Sequence, residues 1–155
     1  MYLIDTNVIS EFRKGRRANA GVVAFFGAVD SKTLFLPAQV VGEIQAGIAK
    51  LRRQGSGQAL RQADAYELWL DSLISEFGDR VLEFDIEAAR TWGMFLSNEK
   101  KDPHTIDKQI AAIALIHGLT VVTRDGGEAF KHMPNVKSFN PFTDAPVADS
   151  PRRRH

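Results

Sequence analysis

The opening stretch MYLIDTNVIS, residues 1–10, predicts how the fold begins. A short apolar run ends on the carboxylate of Asp5, which is typical of a buried strand that stops at a polar edge. Either Thr6 or Asn7 can cap a following helix, since the apolar residues from Val8 onward recur at helical spacing. The chain is therefore expected to begin with a strand, a polar turn and a helix.

The alternation of strand and helix continues along the chain. Short apolar runs predict further strands at residues 33–36, 81–84, 120–123 and 136–139. Helical spacing predicts a helix after the N-cap candidate Asn19 and further helices at residues 38–54, 58–77, 86–98 and 105–117. Strands separated by helices favour an α/β fold with a central, mainly parallel sheet.

Length and composition favour one soluble globular domain. The chain has 155 residues, of which 44% are hydrophobic and 25% are charged, and these values exclude a wholly disordered protein and a membrane protein. Two prolines and three arginines mark the end of the sequence, so we predict one domain over residues 1–143 and a flexible tail over residues 144–155. Without the tail the formal charge is zero, so bulk positive charge cannot attract nucleic acid.

Several classes of chemistry are disfavoured by what the sequence lacks. It has no cysteine, which excludes a disulfide scaffold and a thiol nucleophile. Its four histidines have no zinc-binding spacing, and there is neither a phosphate-binding loop nor a Gly-x-Ser-x-Gly elbow, although a Ser-His-Asp triad stays open. The chain opens without a basic and then apolar leader, and no apolar run approaches ~20 residues. We therefore expect a cytoplasmic protein that makes no contact with a membrane.

Two carboxylates lie where an open α/β sheet binds its ligand. Asp5 ends the first predicted strand, and Asp125 follows the predicted strand at residues 120–123 by two residues. Ligands of such sheets bind outside the carboxyl ends of the strands. In a parallel sheet the two carboxylates can approach each other at one edge.

Two further acids lie on predicted helices. Asp107 begins the apolar stripe of its own helix, and Glu43 lies on a helix whose faces are apolar. An inward carboxylate costs several kcal/mol unless it is paired or binds a cation. Each acid alone can be explained by a Lys or Arg partner or by a place in the first turn of a helix. The four together favour a hard divalent cation, because Lys108 and Arg124 are expected to point elsewhere.

Four motifs together resemble the PIN-domain proteins, and most of all the VapC/FitB type of bacterial toxin ribonuclease. They occur in the same order over residues 1–142, and the closing FNPF at residues 139–142 is also similar to the end of FitB-like members. The four motifs are MYLIDTNVIS at residues 1–10, VGEI at residues 41–44, DKQIAA at residues 107–112 and TVVTRD at residues 120–125.

The resemblance implies a three-layer α/β/α domain and a metal-dependent endoribonuclease that uses Mg²⁺ (or Mn²⁺). It implies that the catalytic and metal-holding acids are Asp5, Glu43, Asp107 and Asp125. The polar residues that it implies as supports are Thr6, Asn7 and Thr123. The chain departs from the family pattern at one position. Many relatives carry a final Asp shortly before a Phe, and here Glu128 takes a similar place ahead of Phe130.

The resemblance also implies partners. It implies a type II toxin–antitoxin system, a homodimer, an RNA substrate and a cognate antitoxin whose tail occupies the acidic pocket. Contact with DNA is then expected only indirectly, through the antitoxin complex. Possible RNA contacts are the basic residues Arg13, Lys14, Arg16 and Arg17, which are equally compatible with a solvated helix end.

Three rival functions use a similar pocket. A phosphatase of the haloacid dehalogenase type would carry a second Asp two residues after Asp5, where this chain has Asn7. A receiver-like phosphoacceptor module is disfavoured because Asp107 begins a helix instead of ending a strand. A catalytically inactive PIN-like binding module is disfavoured because all four acids are present.

Overall fold

A parallel sheet of five strands forms the centre of the computed structural model, which describes residues 1–96, 102–131 and 133–144. The strands are β1 (Tyr2–Ile4), β2 (Leu34–Pro37), β3 (Val81–Leu82), β4 (Thr120–Val122) and β5 (Ser138–Phe139). Their order across the sheet is β3-β2-β1-β4-β5, and every neighbouring pair is parallel. The prediction of an α/β fold with a parallel sheet is confirmed.

Seven α-helices connect and cover the strands over these residues. The helices are α1 (Thr6–Phe12), α2 (Ala20–Ala28), α3 (Ala38–Gln54), α4 (Gly57–Phe77), α5 (Ile86–Phe95), α6 (Thr105–His117) and α7 (Gly126–Ala129). Local sequence sets their starts, since the Asn19 side chain accepts bonds from the first turn of α2 and Ser56 does so for α4. Gly55 has φ of +73°, which separates α3 from α4 at a position that favours glycine.

Alternation along the central strands divides the core into two layers. Ile4 and Val122 point toward α1, α2, α3 and α4, whereas Leu3 and Val121 point toward α5, α6 and α7. All four side chains are fully buried. Because successive strand residues face opposite sides, the apolar runs of β1 and β4 serve both cores, and the predicted three-layer α/β/α arrangement is confirmed.

Some predicted boundaries are wrong, and the hydrogen bonding explains why. Strand β3 stops at Leu82 because its partner β2 ends at Pro37, where α3 begins. Strand β5 begins only at Ser138, since Val136 is in a turn and donates its N–H to the Met133 carbonyl.

The first helix is capped by Asp5, not by Thr6 or Asn7. The Asp5 carboxylate accepts a bond from Thr6 N, and the Asp5 carbonyl accepts from the N–H of Ile9. Asp5, the residue directly after β1, therefore also starts the helix.

Two predictions reach beyond the described residues. Helix α5 ends at Phe95, and residues 97–98 of the predicted helix lie outside the described ranges. Of the predicted tail only Asp144 is described, and its carboxylate accepts a bond from Asn140 N. In the described part of the chain no helix has the length and apolarity to cross a membrane.

Helix α4 offers a matched test of the core. Leu70→Ala should lower the free energy of unfolding by about 2–5 kcal/mol, because Leu70 is 1% exposed and truncation leaves a cavity. Leu68→Ala removes the same atoms from a side chain that is 71% exposed, and it should change stability by less than about 0.5 kcal/mol. Urea denaturation of both variants checks this, and equal losses would contradict the burial of Leu70.

Candidate active site

The Asp5 carboxylate lies at the carboxyl end of the central strand. Its backbone N–H donates to the Val122 carbonyl of β4 at 3.0 Å, which extends the pairing of β1 and β4 to the end of the sheet. One carboxylate oxygen accepts from Thr6 N at 2.7 Å and the other from Thr123 Oγ1 at 2.8 Å. Asp5 is 7% exposed and Thr123 is 2% exposed, so this carboxylate is held in a single orientation in a nearly dry setting.

Asn7, two residues after Asp5, connects the start of α1 to Asp125. The Asn7 amide nitrogen donates to Asp125 Oδ2 at 3.0 Å, and its carbonyl oxygen accepts from Arg124 N at 3.2 Å. The Asp125 N–H in turn donates to Thr123 Oγ1 at 3.2 Å. The loop after β4 is thus tied to the first turn of α1, and Asp5 and Asp125 lie at the same edge of the sheet.

The closing FNPF segment, residues 139–142, supports this loop from outside. The Asn140 amide donates to the Arg124 carbonyl at 3.2 Å, and the Arg124 guanidinium lies 4.3 Å from the centre of the Phe142 ring. Arg124 is therefore held against an aromatic ring and is not among the residues that line the acid pocket.

Glu43 reaches the site from α3. Thr6 Oγ1 donates to Glu43 Oε1 at 3.0 Å, so the first residue of α1 positions two acids, one through its backbone and one through its hydroxyl. The Glu43 residue as a whole is exposed, whereas its carboxyl group faces the other acids.

Asp107 reaches the site from the first turn of α6. Its carboxylate is half-buried and lies 3.2 Å from His104 Nδ1. Lys108, the neighbouring cation in sequence, bonds Asp102 instead. The expectation that Lys108 points away from the site is confirmed.

All four acids line one open pocket of about 290 Å³, named here the acid pocket. Among the described residues, neither lysine nor arginine lines it, so this part of the chain gives its negative charge no counterion at the wall. The lining residues are Asp5, Thr6, Asn7, Ser10, Glu43, Asp107 and Asp125.

Burial and mutual repulsion raise the proton affinity of the acid pocket. Burial raises the pKa of the Asp5 carboxyl, the bonds from Thr123 and Thr6 oppose that rise, and the charges of Asp107 and Asp125 add to it. Desolvation likewise raises the pKa of Glu43, against the Thr6 bond and together with the charges of Asp5 and Asp107. The pocket therefore favours a proton or another cation.

The oxygen ligands of the acid pocket suit a hard cation that keeps part of its water shell better than an ion enclosed by protein groups alone. Among the described residues, no three His, Asp or Glu side chains lie close enough together to hold a metal ion by themselves. Carboxylate and hydroxyl oxygens suit Mg²⁺ and Mn²⁺, and Mg²⁺ keeps several waters and binds through one or two carboxylates. Asp5 and its neighbours in the pocket can hold such an ion partly through water.

Two residues near the acids were missed by the sequence analysis. Ser10 lines the acid pocket because it lies four positions after Thr6 on α1, a spacing that was visible in the sequence. His104 contacts Asp107 from the N-cap position of α6. A separation of three residues in the sequence was too weak a signal to predict this contact. Glu128 lies on α7 beside Lys108 in a separate pocket, and not in the acid pocket.

The four basic residues of the predicted RNA contacts do not reach the acid pocket. Arg13, Lys14 and Arg17 line a second pocket at the far end of α1, and Arg16 lies in the same 3₁₀ turn as Arg17.

Comparisons with known proteins agree with the fold. A family model described as PIN domain matches residues 2–136. Plasmid stability protein StbB of Pseudomonas syringae pv. tomato is 39% identical over 130 residues, which cover 82% of this chain and 89% of StbB. Toxin FitB of Neisseria gonorrhoeae is 35% identical over 147 residues, which cover 93% of this chain and 100% of FitB.

Two further matches are similar in sequence or structure. VapC ribonuclease Y4jK of Sinorhizobium fredii is 33% identical over 129 residues, which cover 81% of this chain and 87% of that protein. The crystal structure of FitAcB from Neisseria gonorrhoeae superposes with a TM-score of 0.75 and 33% identity, covering 92% of this chain and 99% of that chain.

The raised pKa of Asp5 predicts a gain in stability when the charge is removed. Asp5→Asn should raise the free energy of unfolding of the metal-free protein at pH 7. Asn keeps the bond from Thr6 N, and removal of the buried charge outweighs loss of the bond that Thr123 Oγ1 donates. Below the ordinary value of 3.8 the carboxyl is protonated in both states. As the pH rises, the unfolded chain ionises first, so the wild type loses stability relative to the variant until the pH passes the raised pKa of Asp5. Each tenfold change in proton affinity corresponds to about 1.4 kcal/mol.

Urea denaturation in EDTA from about pH 3 to about pH 8 measures this difference. The stabilities of wild type and Asp5→Asn should converge at the acid end and separate as the pH rises. A variant that is less stable than the wild type at pH 7 would contradict the account of Asp5 as a destabilising buried charge.

Proposed function

This chain belongs to the PIN domain family, and from that premise we propose that it is a metal-dependent endoribonuclease and the toxin of a type II toxin–antitoxin system. The observation that carries the proposal is the acid pocket, in which four carboxylates face one another and no lysine or arginine of the described ranges lines the wall. The names of two relatives, Toxin FitB and VapC ribonuclease Y4jK, support the same function.

In this proposal the chain's own residues arrange the acids before substrate arrives. Thr6 and Thr123 fix the two oxygens of Asp5, and Asn7 fixes one oxygen of Asp125. When bound by these acids, Mg²⁺ or Mn²⁺ supplies an activated water and neutralises charge on the phosphate. Asp5, Glu43, Asp107 and Asp125 would hold the ion directly or through water, and their bonds to neighbouring residues limit the rearrangement that this requires.

The geometry argues against a phosphatase of the haloacid dehalogenase type. Such an enzyme would use an acid at the position of Asn7, two residues after Asp5. Here the Asn7 amide is committed to Asp125 on one side and to the Arg124 N–H on the other. Asn7 therefore positions an acid and does not replace one.

The same proposal includes a cognate antitoxin and a homodimer. A guanidinium of the antitoxin can bond two carboxylate oxygens at once and can stand in for the charge of the metal. The open acid pocket, which no arginine lines in the part of the chain that the structure describes, suits such a group. Contact with DNA would then belong to the complex through its antitoxin.

Removal of single acids tests the nuclease. Asp5→Asn and Asp107→Asn should each lower the rate of Mg²⁺-dependent RNA cleavage by more than about 100-fold, since even residues that only orient metal ligands commonly contribute 10- to 100-fold. Cleavage of end-labelled RNA measures the rate, and circular dichroism confirms that each variant is folded. EDTA should abolish cleavage by the wild type.

Asp71→Asn is the matched control, because Asp71 is an exposed acid on α4 outside the acid pocket. It should cleave RNA at the wild-type rate. If the purified wild type degrades no RNA in Mg²⁺ or Mn²⁺, the nuclease proposal fails and an inactive binding module becomes the better account. Full activity in Asp5→Asn would remove that residue from the site.

Metal binding should also stabilise the fold. Mn²⁺ should raise the Tm of the wild type, because an ion that binds only the folded state at about 100 times its Kd adds about 2.7 kcal/mol. The shift should be much smaller in Asp5→Asn and unchanged in Asp71→Asn, as followed by thermal denaturation with and without Mn²⁺. An equal shift in wild type and Asp5→Asn would place the ion elsewhere.

A further inference from the structure

A second pocket, of opposite character, lies between the end of α1 and the middle of α4. It measures about 500 Å³ and is named here the basic pocket. Three of its lining residues are cations and none is acidic. The lining residues are Arg13, Lys14, Arg17, Gln62, Ala65 and Tyr66.

The local sequence brings the cations together. Gly15 has φ of +61°, a conformation that favours glycine. The chain there turns from α1 into the 3₁₀ turn Gly15–Arg17, so that Arg17 lies at the same pocket as Arg13.

Arg13 is held in a fixed position that leaves donors free. Its guanidinium lies 4.2 Å from the centre of the Tyr66 ring and 5.5 Å from that of the Trp69 ring, and Nη2 donates to the Tyr66 hydroxyl at 3.0 Å. A guanidinium carries five N–H donors. The remaining donors can bond an anion without the entropy cost of ordering a loose side chain.

The Tyr66 hydroxyl adds a further donor. It accepts one bond from Arg13 and a second from Gln62 Nε2 at 3.0 Å. With both lone pairs engaged, its own hydrogen can only be donated, which suits an anionic acceptor.

The balance of charge in the basic pocket is positive. Lys14 bonds Glu11 at 2.6 Å and is thus paired. Within the described ranges, neither Arg13 nor Arg17 forms a salt bridge with an acid of the chain. Two guanidinium groups therefore remain for an external anion.

Helix α1 fixes the separation of the two pockets. Thr6, Asn7 and Ser10 of this helix line the acid pocket, and Arg13 follows its last residue. Seven residues at about 1.5 Å each span about 10 Å. A single strand of RNA can cover this distance within a few nucleotides.

We propose that the basic pocket binds a backbone phosphate of single-stranded RNA, a few nucleotides from the bond that is cleaved at the acid pocket. This rests on the proposed nuclease function and adds to it the place where the strand is held. Arg13 and Arg17 contact the phosphate, and Tyr66 donates to it. Because the contact is to the backbone, it adds affinity without reading sequence.

Binding measured apart from cleavage tests this proposal. On the Asp5→Asn background in Mg²⁺, Arg17→Ala should weaken binding of a fluorescent ten-nucleotide single-stranded RNA about fivefold, since a charge-assisted bond is lost. The slope of the logarithm of the association constant against the logarithm of salt concentration should fall in magnitude by about 0.7, the value for one phosphate contact with a single strand. Arg90→Ala, an exposed arginine on α5 across the sheet, is the matched control and should change neither quantity.

Kinetics in the wild-type background give a second readout. Arg17→Ala should raise KM about fivefold and leave kcat unchanged, because the contact is equal in the ground state and the transition state. Equal RNA binding and equal salt slopes in Arg17→Ala and Arg90→Ala would overturn the proposal.

The outcomes also separate this proposal from the proposed function. A wild type that binds RNA through Arg17 and never cleaves it would reject the nuclease and keep the phosphate site. If polyglutamate binds with the same dependence on Arg17 while RNA does not, the basic pocket faces an acidic protein segment and the phosphate site is rejected.

Discussion

The buried carboxylate of Asp5 is the constraint on which the rest of the site depends. Its residue pairs β1 with β4 through Val122, caps α1 through Thr6 N and accepts the hydroxyl of Thr123. These bonds compensate only part of the cost of burying a charge, and burial still raises the pKa of Asp5. A cation in the acid pocket would remove the remainder of that cost. The same residue thus connects the geometry of the sheet to the need for a ligand.

The strongest predictions from the sequence concern elements whose side chains serve the core. The bounds of α3 were predicted without error because its apolar stripe faces one layer along its whole length. The meeting of Asp5 and Asp125 at one edge follows from parallel topology, which alternating strands and helices already indicated. By contrast, the length of β3 depends on where β2 ends, and the pairing of Lys108 with Asp102 depends on a loop conformation. Neither is encoded in a local pattern.

The formal charge of this protein is only +1 in total, and the charges are divided in space. The four acids of the acid pocket meet where α1 begins, and Arg13 and Arg17 lie where it ends. A phosphate strand would be repelled by the acid pocket alone, since like charges oppose each other most where solvent is excluded. If the basic pocket holds the strand as proposed, the rigid helix between the pockets determines which bond meets the carboxylates.

Cations near the acid pocket are kept away from it by aromatic and polar contacts. Arg124 lies over Phe142, and Lys108 bonds Asp102. Had either of these groups entered the acid pocket, it would have neutralised the carboxylates and lowered their affinity for a metal. The fold therefore preserves an excess of negative charge at a defined place. That excess suits both a divalent ion and the guanidinium of a partner, so in the proposed system activity and inhibition would depend on the same carboxylates.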